Sequence, residues 1–114
     1  LLRYDWDKML GSMNYYDDTP FLSEEAAQWL VDKGCRLVGM DTPMPDDPKN
    51  GKGCDVDSPI HKILLGNNVV LCEYLINLSK ISQPIVDLYI APLKIYEGDG
   101  SPVRAFVIEN ELKK

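Results

Sequence analysis

Ser58-Pro59-Ile60-His61-Lys62-Ile63-Leu64-Leu65-Gly66-Asn67-Asn68-Val69-Val70-Leu71-Cys72-Glu73-Tyr74-Leu75 holds the only histidine of the chain and an acid set inside an apolar run. Ser58 followed by Pro59 is a helix-start signal, since the hydroxyl can accept a free backbone N–H and proline loses nothing at the first helical position. A short helix is expected from there, ended by Gly66-Asn67-Asn68, which tolerate left-handed backbone. Val69 to Leu75 then has the β-branched, apolar character of a strand. The same order, helix then strand, is expected over 21–40, where it gives the second half of an α/β unit.

Ordinary alternation in that strand puts Val69, Leu71 and Glu73 on one face and Val70, Cys72 and Tyr74 on the other. A glutamate among apolar neighbours is costly unless something cationic pairs with it. A metal ion is one such partner, and His61 is the candidate second ligand, because a helix, a turn and a strand can bring both side chains to one point. Imidazole plus carboxylate suits zinc or manganese better than calcium or magnesium. The residues leave two plainer readings open. His61 can be a surface or supporting histidine, and Glu73 can pair with Lys62, Lys94 or Arg104.

With 114 residues the chain is expected to be one modest domain. Its net charge of −6 and pI near 4.6 disfavour nucleic acid and anionic membranes, which repel a surface of the same sign. No apolar run approaches the roughly 20 residues that span a bilayer, and no cationic-then-apolar leader is seen. A cytoplasmic protein with small-molecule or protein partners is expected. Cys35, Cys54 and Cys72 form no Cys-x-x-Cys pair and read as free thiols; Cys54 is the most exposed, without a basic neighbour to activate it.

Outward from the central stretch, Leu1-Leu2-Arg3-Tyr4 reads as a strand already under way, which suggests a piece of a longer protein. Trp6, Tyr15 and Tyr16 belong to a long aromatic and acidic loop, where they either line a pocket for a flat ligand or, more plainly, anchor the loop. The run from Phe21 to Gly34 is the clearest helix, capped by Ser23, stopped by Gly34, and buried along Ala26, Ala27, Leu30 and Val31. Cys35 to Met40 reads as a strand, and Asp41 to Pro48 as a proline-rich turn. There Asp41, Asp46 and Asp47 fit a solvated turn better than a cation site. Strands are expected over 85–95, with Pro92 at an edge, bulge or end, and over 103–108, followed by a polar tail to Lys114.

Several of these segments, in order, resemble one family. Leu22-Ser23-Glu24-Glu25-Ala26-Ala27-Gln28-Trp29-Leu30, Val38-Gly39-Met40-Asp41-Thr42-Pro43, Ile60-His61-Lys62-Ile63-Leu64-Leu65, Glu73-Tyr74-Leu75-Ile76-Asn77-Leu78, Ala91-Pro92-Leu93 and Asp99-Gly100-Ser101-Pro102-Val103-Arg104 look like the second half of the cyclase family. That family includes bacterial kynurenine formamidases and isatin hydrolases. The resemblance implies a metal-dependent hydrolase that opens a formamide such as N-formylkynurenine, or else a cyclic amide such as isatin. For members like the kynurenine formamidases it implies two zinc ions, alternatively manganese, in one site, with one set of ligands from an early motif, His-x-Gly-Thr-His-x-Asp-x-Pro, and the other metal completed by a later histidine and glutamate that match His61 and Glu73.

The early motif is absent, and the acid/base histidine is expected with it in a missing N-terminal part, so no catalytic residue is assigned within this chain. Met44 departs from the serine of many relatives. Asp41 and Arg104 are candidates for supporting or structural groups. The implied fold is α/β, a mixed sheet curling toward a barrel with a flanking helix, a swivelling β/β/α arrangement of which only the C-terminal part is present. Two protein ligands fall short of the three usual at a catalytic zinc, so the chain alone is expected to be inactive. Open sheet edges favour pairing with the missing part or a homo-oligomer, a dimer or tetramer. The competing class is a non-catalytic module that keeps the scaffold.

Overall fold

A computed structural model describes residues 1–51 and 53–109, which divide into two compact units, one of residues 1–79 and one beginning at Lys80. In the first unit, helix α1 spans Glu24–Asp32. Ser23 Oγ accepts the Ala26 N–H at 3.2 Å, and Gly34 takes φ +74° just past the helix, so both expected end signals act. Strand β1, Leu37–Gly39, follows. Helix α2, Pro59–Gly66, then leads to β2, Val70–Cys72, which pairs in parallel with β1, Leu37 opposite Val70 and Gly39 opposite Cys72. Leu2 adds a single parallel bridge to Met40, all that forms of the expected first strand.

Parallel strands need a crossover, and α2 supplies it. The chain leaves the C-terminal end of β1 before α2 begins, so the first turn of α2 and the C-terminal end of β2 share one edge of the sheet. In open α/β sheets that edge is where ligands bind. Beneath it Ala27, Val38, Met40, Ile60, Leu64 and Val69 form the buried core, with Leu2, Leu22, Leu30, Val31, Ile63 and Leu71 packed around them.

Two expectations are corrected in this unit. Glu73 stands one residue beyond β2 and not inside it, because the strand closes at Cys72. The proline-rich segment is no solvated turn: Asp41, Thr42, Pro43, Pro45 and Asp46 are all buried. Backbone donors explain how the acids tolerate this, since Asp41 accepts the Tyr4 N–H at 2.9 and 3.1 Å and Asp46 accepts two N–H groups of α2. Asp47, half-buried, accepts the Lys49 N–H and caps a short 3-10 turn over Pro48–Asn50.

The second unit is a hairpin of β3, Asp87–Pro92, antiparallel to β4, Val103–Ile108. Pro92 ends β3, where its missing N–H costs least. Tyr89 and Phe106 lie opposite each other with stacked rings 5.1 Å apart. Glu109 accepts the N–H groups of Ser82 and Gln83 and the Ser82 hydroxyl proton, closing the base of the hairpin. The expected tail beyond Glu109 lies outside the described residues.

The α/β class holds, but the described residues form no curled or barrel-like sheet. They make one parallel pair and one antiparallel pair, and closing a barrel requires a continuous ladder around the ring.

Candidate metal centre

Helix α2 begins without the cap that its sequence advertises. Ser58 sits at φ +48° and ψ +56°, makes no side-chain cap, and donates its hydroxyl proton to Asp57 Oδ1. The capping is done from a distance by Asp46. Its Oδ1 accepts the Ile60 N–H at 2.6 Å and its Oδ2 the His61 N–H at 3.2 Å, an anion placed on the positive end of the helix. The same Oδ2 lies 2.5 Å from His61 Nδ1. An ionised carboxylate only accepts, so Nδ1 carries the proton. The ring is thereby fixed, and Nε2 faces the opposite way.

Opposite Nε2, at 3.4 Å, is Glu73 Oε1. That separation is too long for a good hydrogen bond, and Oε1 is a buried oxygen without a hydrogen-bond partner. Two ligand atoms on one tetrahedral zinc, each roughly 2.0–2.2 Å from the ion, stand about 3.3–3.5 Å apart. The His61–Glu73 gap has that width, and its donors are an imidazole nitrogen with its other nitrogen held by a carboxylate and an unsatisfied carboxylate oxygen. The residues present therefore fit a divalent cation. Among the described residues no group of three or more His, Cys, Asp and Glu could hold a metal ion, so this chain contributes a pair and not a complete set.

Electrostatics agree with the geometry. The Glu73 carboxylate, foremost, and Asp46 hold the imidazolium so strongly that, against the opposing effect of burial, the His61 pKa is pushed up to about 9. A cation at Nε2 would take the place of the proton that faces Glu73, while Asp46 keeps the proton on Nδ1. Beside the pair, burial and the Glu73 charge push the Cys72 thiol up. Tyr74, raised to about 12 by burial and by its hydrogen bond with Tyr16, also stays protonated.

His61 and Glu73, named from the sequence, come together. Asp41 is buried two residues beyond β1, where its carboxylate accepts the Tyr4 N–H. Arg104 lies in the other unit, exposed on β4 opposite Ala91. Asp46 is the residue that reading the sequence undervalued. Its signal in the sequence is weak, because Ser58 already offers an acceptor for the first N–H groups of α2 and Asp46 sits in a proline-rich segment that reads as a turn. Of the loop aromatics, Tyr15 is buried, stacks with Trp6 and accepts the Trp6 indole N–H through its carbonyl, which is the anchoring role. Tyr16 is exposed, edge-on to Tyr15. The thiols are free, with Cys54 exposed and Cys72 buried.

Comparison with known proteins places these residues in a family context. A family model described as "Putative cyclase" matches residues 1–47. The chain is 33% identical over 97 residues to a kynurenine formamidase of Bacillus cytotoxicus, an alignment that takes in 85% of this chain and 44% of that protein. Its fold overlays the crystal structure of an isatin hydrolase bound to the product analogue thioisatinate with a TM-score of 0.80 and 29% identity, covering 94% of this chain and 43% of that one. A second structure, of a potential metal-dependent hydrolase with cyclase activity, gives a TM-score of 0.63 at 28% identity over 86% of this chain and 48% of that one. The chain thus spans less than half the length of the relatives it matches.

Proposed function

From a chain that belongs to the cyclase family, we propose that the whole protein is a metal-dependent hydrolase of a small formamide or cyclic amide, with His61 Nε2 and Glu73 Oε1 as two of the ligands. The observation that carries this reading is the pair itself: an oriented imidazole nitrogen facing, at 3.4 Å, a buried carboxylate oxygen that has no other partner. When bound, a divalent cation supplies Lewis acidity toward an amide carbonyl and a nucleophile at neutral pH. Within this chain the work is positional. Asp46 holds the Nδ1 proton and the ring plane, α2 fixes the place of His61 along the sheet edge, and burial of Glu73 Oε1 keeps water from competing for it.

Zinc is the proposed metal, with manganese second on donor chemistry. N-formylkynurenine is the first substrate to test, because several relatives are named for that activity. Isatin is the second, favoured by the overlay on an isatin hydrolase across 94% of this chain. The remaining ligands and the acid/base group are proposed to come from protein outside these 114 residues. An open-edged scaffold of this kind is also proposed to work as a homo-oligomer. No helix among the described residues is long and apolar enough to cross a membrane.

The test is metal analysis of the intact purified protein together with turnover of both substrates, for wild type and His61→Ala. Stoichiometric metal and turnover in the wild type, both lost in His61→Ala, support the reading. Full metal content in His61→Ala would remove this residue from the site and with it the proposal.

A further inference from the structure

Beyond β2 the backbone does something that neither strand pairing nor the ligand role of Glu73 requires by itself. The parallel ladder pairs Gly39 with Cys72, and the Met40 N–H donates to the Cys72 carbonyl at 2.9 Å. The regular repeat would next bring the Tyr74 N–H to the Met40 carbonyl. Instead the Leu75 N–H donates there, at 2.9 Å, while the Tyr74 N–H turns to the Thr42 carbonyl at 3.0 Å. Glu73 and Tyr74 thus occupy a place where the ladder has room for one residue, which is a bulge. Tyr74 takes φ +57°, a left-handed conformation that a bulky side chain adopts only under constraint.

The constraint is visible. The Tyr74 ring packs against the buried Tyr15 at 6.4 Å, and Tyr15 is tied in turn to Trp6. Bulges bend a strand and re-aim the side chain beside them, and they recur next to functional sites. We propose that Tyr74 is a positioning residue whose left-handed backbone holds an extra residue at the end of β2 and so turns the Glu73 carboxylate toward His61 Nε2. The inference rests on Glu73 being a ligand, and it assigns the aim of that ligand to backbone geometry at its neighbour, not to the tyrosine ring.

Two substitutions separate backbone from ring. Tyr74→Gly removes the ring but adopts positive φ freely, whereas Tyr74→Val removes the ring and resists positive φ through its branched Cβ. Cobalt(II) is titrated into the metal-free intact protein, read by its visible absorption, with Glu73→Ala as the control. Expected results are an affinity for Tyr74→Gly within about threefold of wild type, and one for Tyr74→Val weaker by about tenfold or more, the scale on which groups that orient ligands act. The Tyr74→Val absorption should also resemble that of Glu73→Ala. Equal binding by Tyr74→Val and wild type would overturn the inference, as would a Tyr74→Gly protein as weak as Glu73→Ala. If circular dichroism shows Tyr74→Val unfolded, Tyr74→Ala, which also lacks the ring and resists positive φ, takes its place under the same expectations. Wild-type binding by Glu73→Ala instead overturns the ligand reading, and the positioning role falls with it.

Discussion

Asp46 Oδ2 and His61 are joined twice, through the His61 backbone N–H at 3.2 Å and through Nδ1 of the ring at 2.5 Å. One carboxylate therefore starts the helix and orients the side chain that the helix carries. Local fold and candidate chemistry are coupled at this residue, so a change there should be felt in both.

Asp46→Ala is expected to lower metal affinity by roughly 10–100-fold, because the Nδ1–H loses the acceptor that fixes the ring. It should also cost about 1–3 kcal/mol of stability, since the Ile60 N–H is left without its acceptor. Competition with a chelator reads the first effect and denaturant unfolding of the metal-free protein the second. Loss of stability with unchanged affinity would restrict Asp46 to capping.

The metal-free protein should show a His61 imidazole titrating near pH 9 against an ordinary 6.5. The sign follows from linkage. A folded-state pKa raised above the unfolded value gives stability that is complete below about pH 6.5 and is lost as pH rises through about 9. The ring proton resonances, assigned by comparison with His61→Gln, follow the titration. Glu73→Gln should move the midpoint down, because Glu73 is the foremost cause of the rise. An unchanged midpoint in that variant would show that the two groups do not interact.

Ser23 and Ser58 both read as helix caps, but only Ser23 bonds a helix N–H. Ser23→Ala should destabilise by about 1 kcal/mol, the usual value for a lost cap, and Ser58→Ala by much less. Matched thermal or denaturant melts of the two variants make the comparison.

Leu64 is fully buried in the core and Leu65, its neighbour on α2, is 53% exposed. Leu64→Ala is therefore expected to cost about 2–5 kcal/mol, and Leu65→Ala to stay within roughly 0.5 kcal/mol. Denaturant midpoints decide it, and similar costs at both positions would contradict this packing of α2.

Much was legible from local chemistry. The Ser23 cap, the Gly34 stop, the Pro59 start of α2 and β4 from Val103 to Ile108 follow from signals within a few residues, because capping, left-handed tolerance and a missing N–H act locally, whereas β3 closes at Pro92, short of the Ile95 expected for it. His61 and Glu73 stood out because a sole imidazole and an acid among apolar residues are conspicuous in any fold.

Other features depended on contacts between segments far apart in the chain. Asp46 and Ser58 look in sequence like a solvated acid and a capping serine. Only the folded chain reveals the exchange of roles, since which acceptor reaches the first N–H groups of α2 depends on how the proline-rich segment returns over the helix. Likewise the strand expected through Leu75 stops at Cys72, because the Tyr74 N–H finds the Thr42 carbonyl and the extra residue breaks the ladder. Sequence alone determined which residue types were at hand. The crossover through α2, which sets a helix start and a strand end on one edge of the sheet, decided which of them meet.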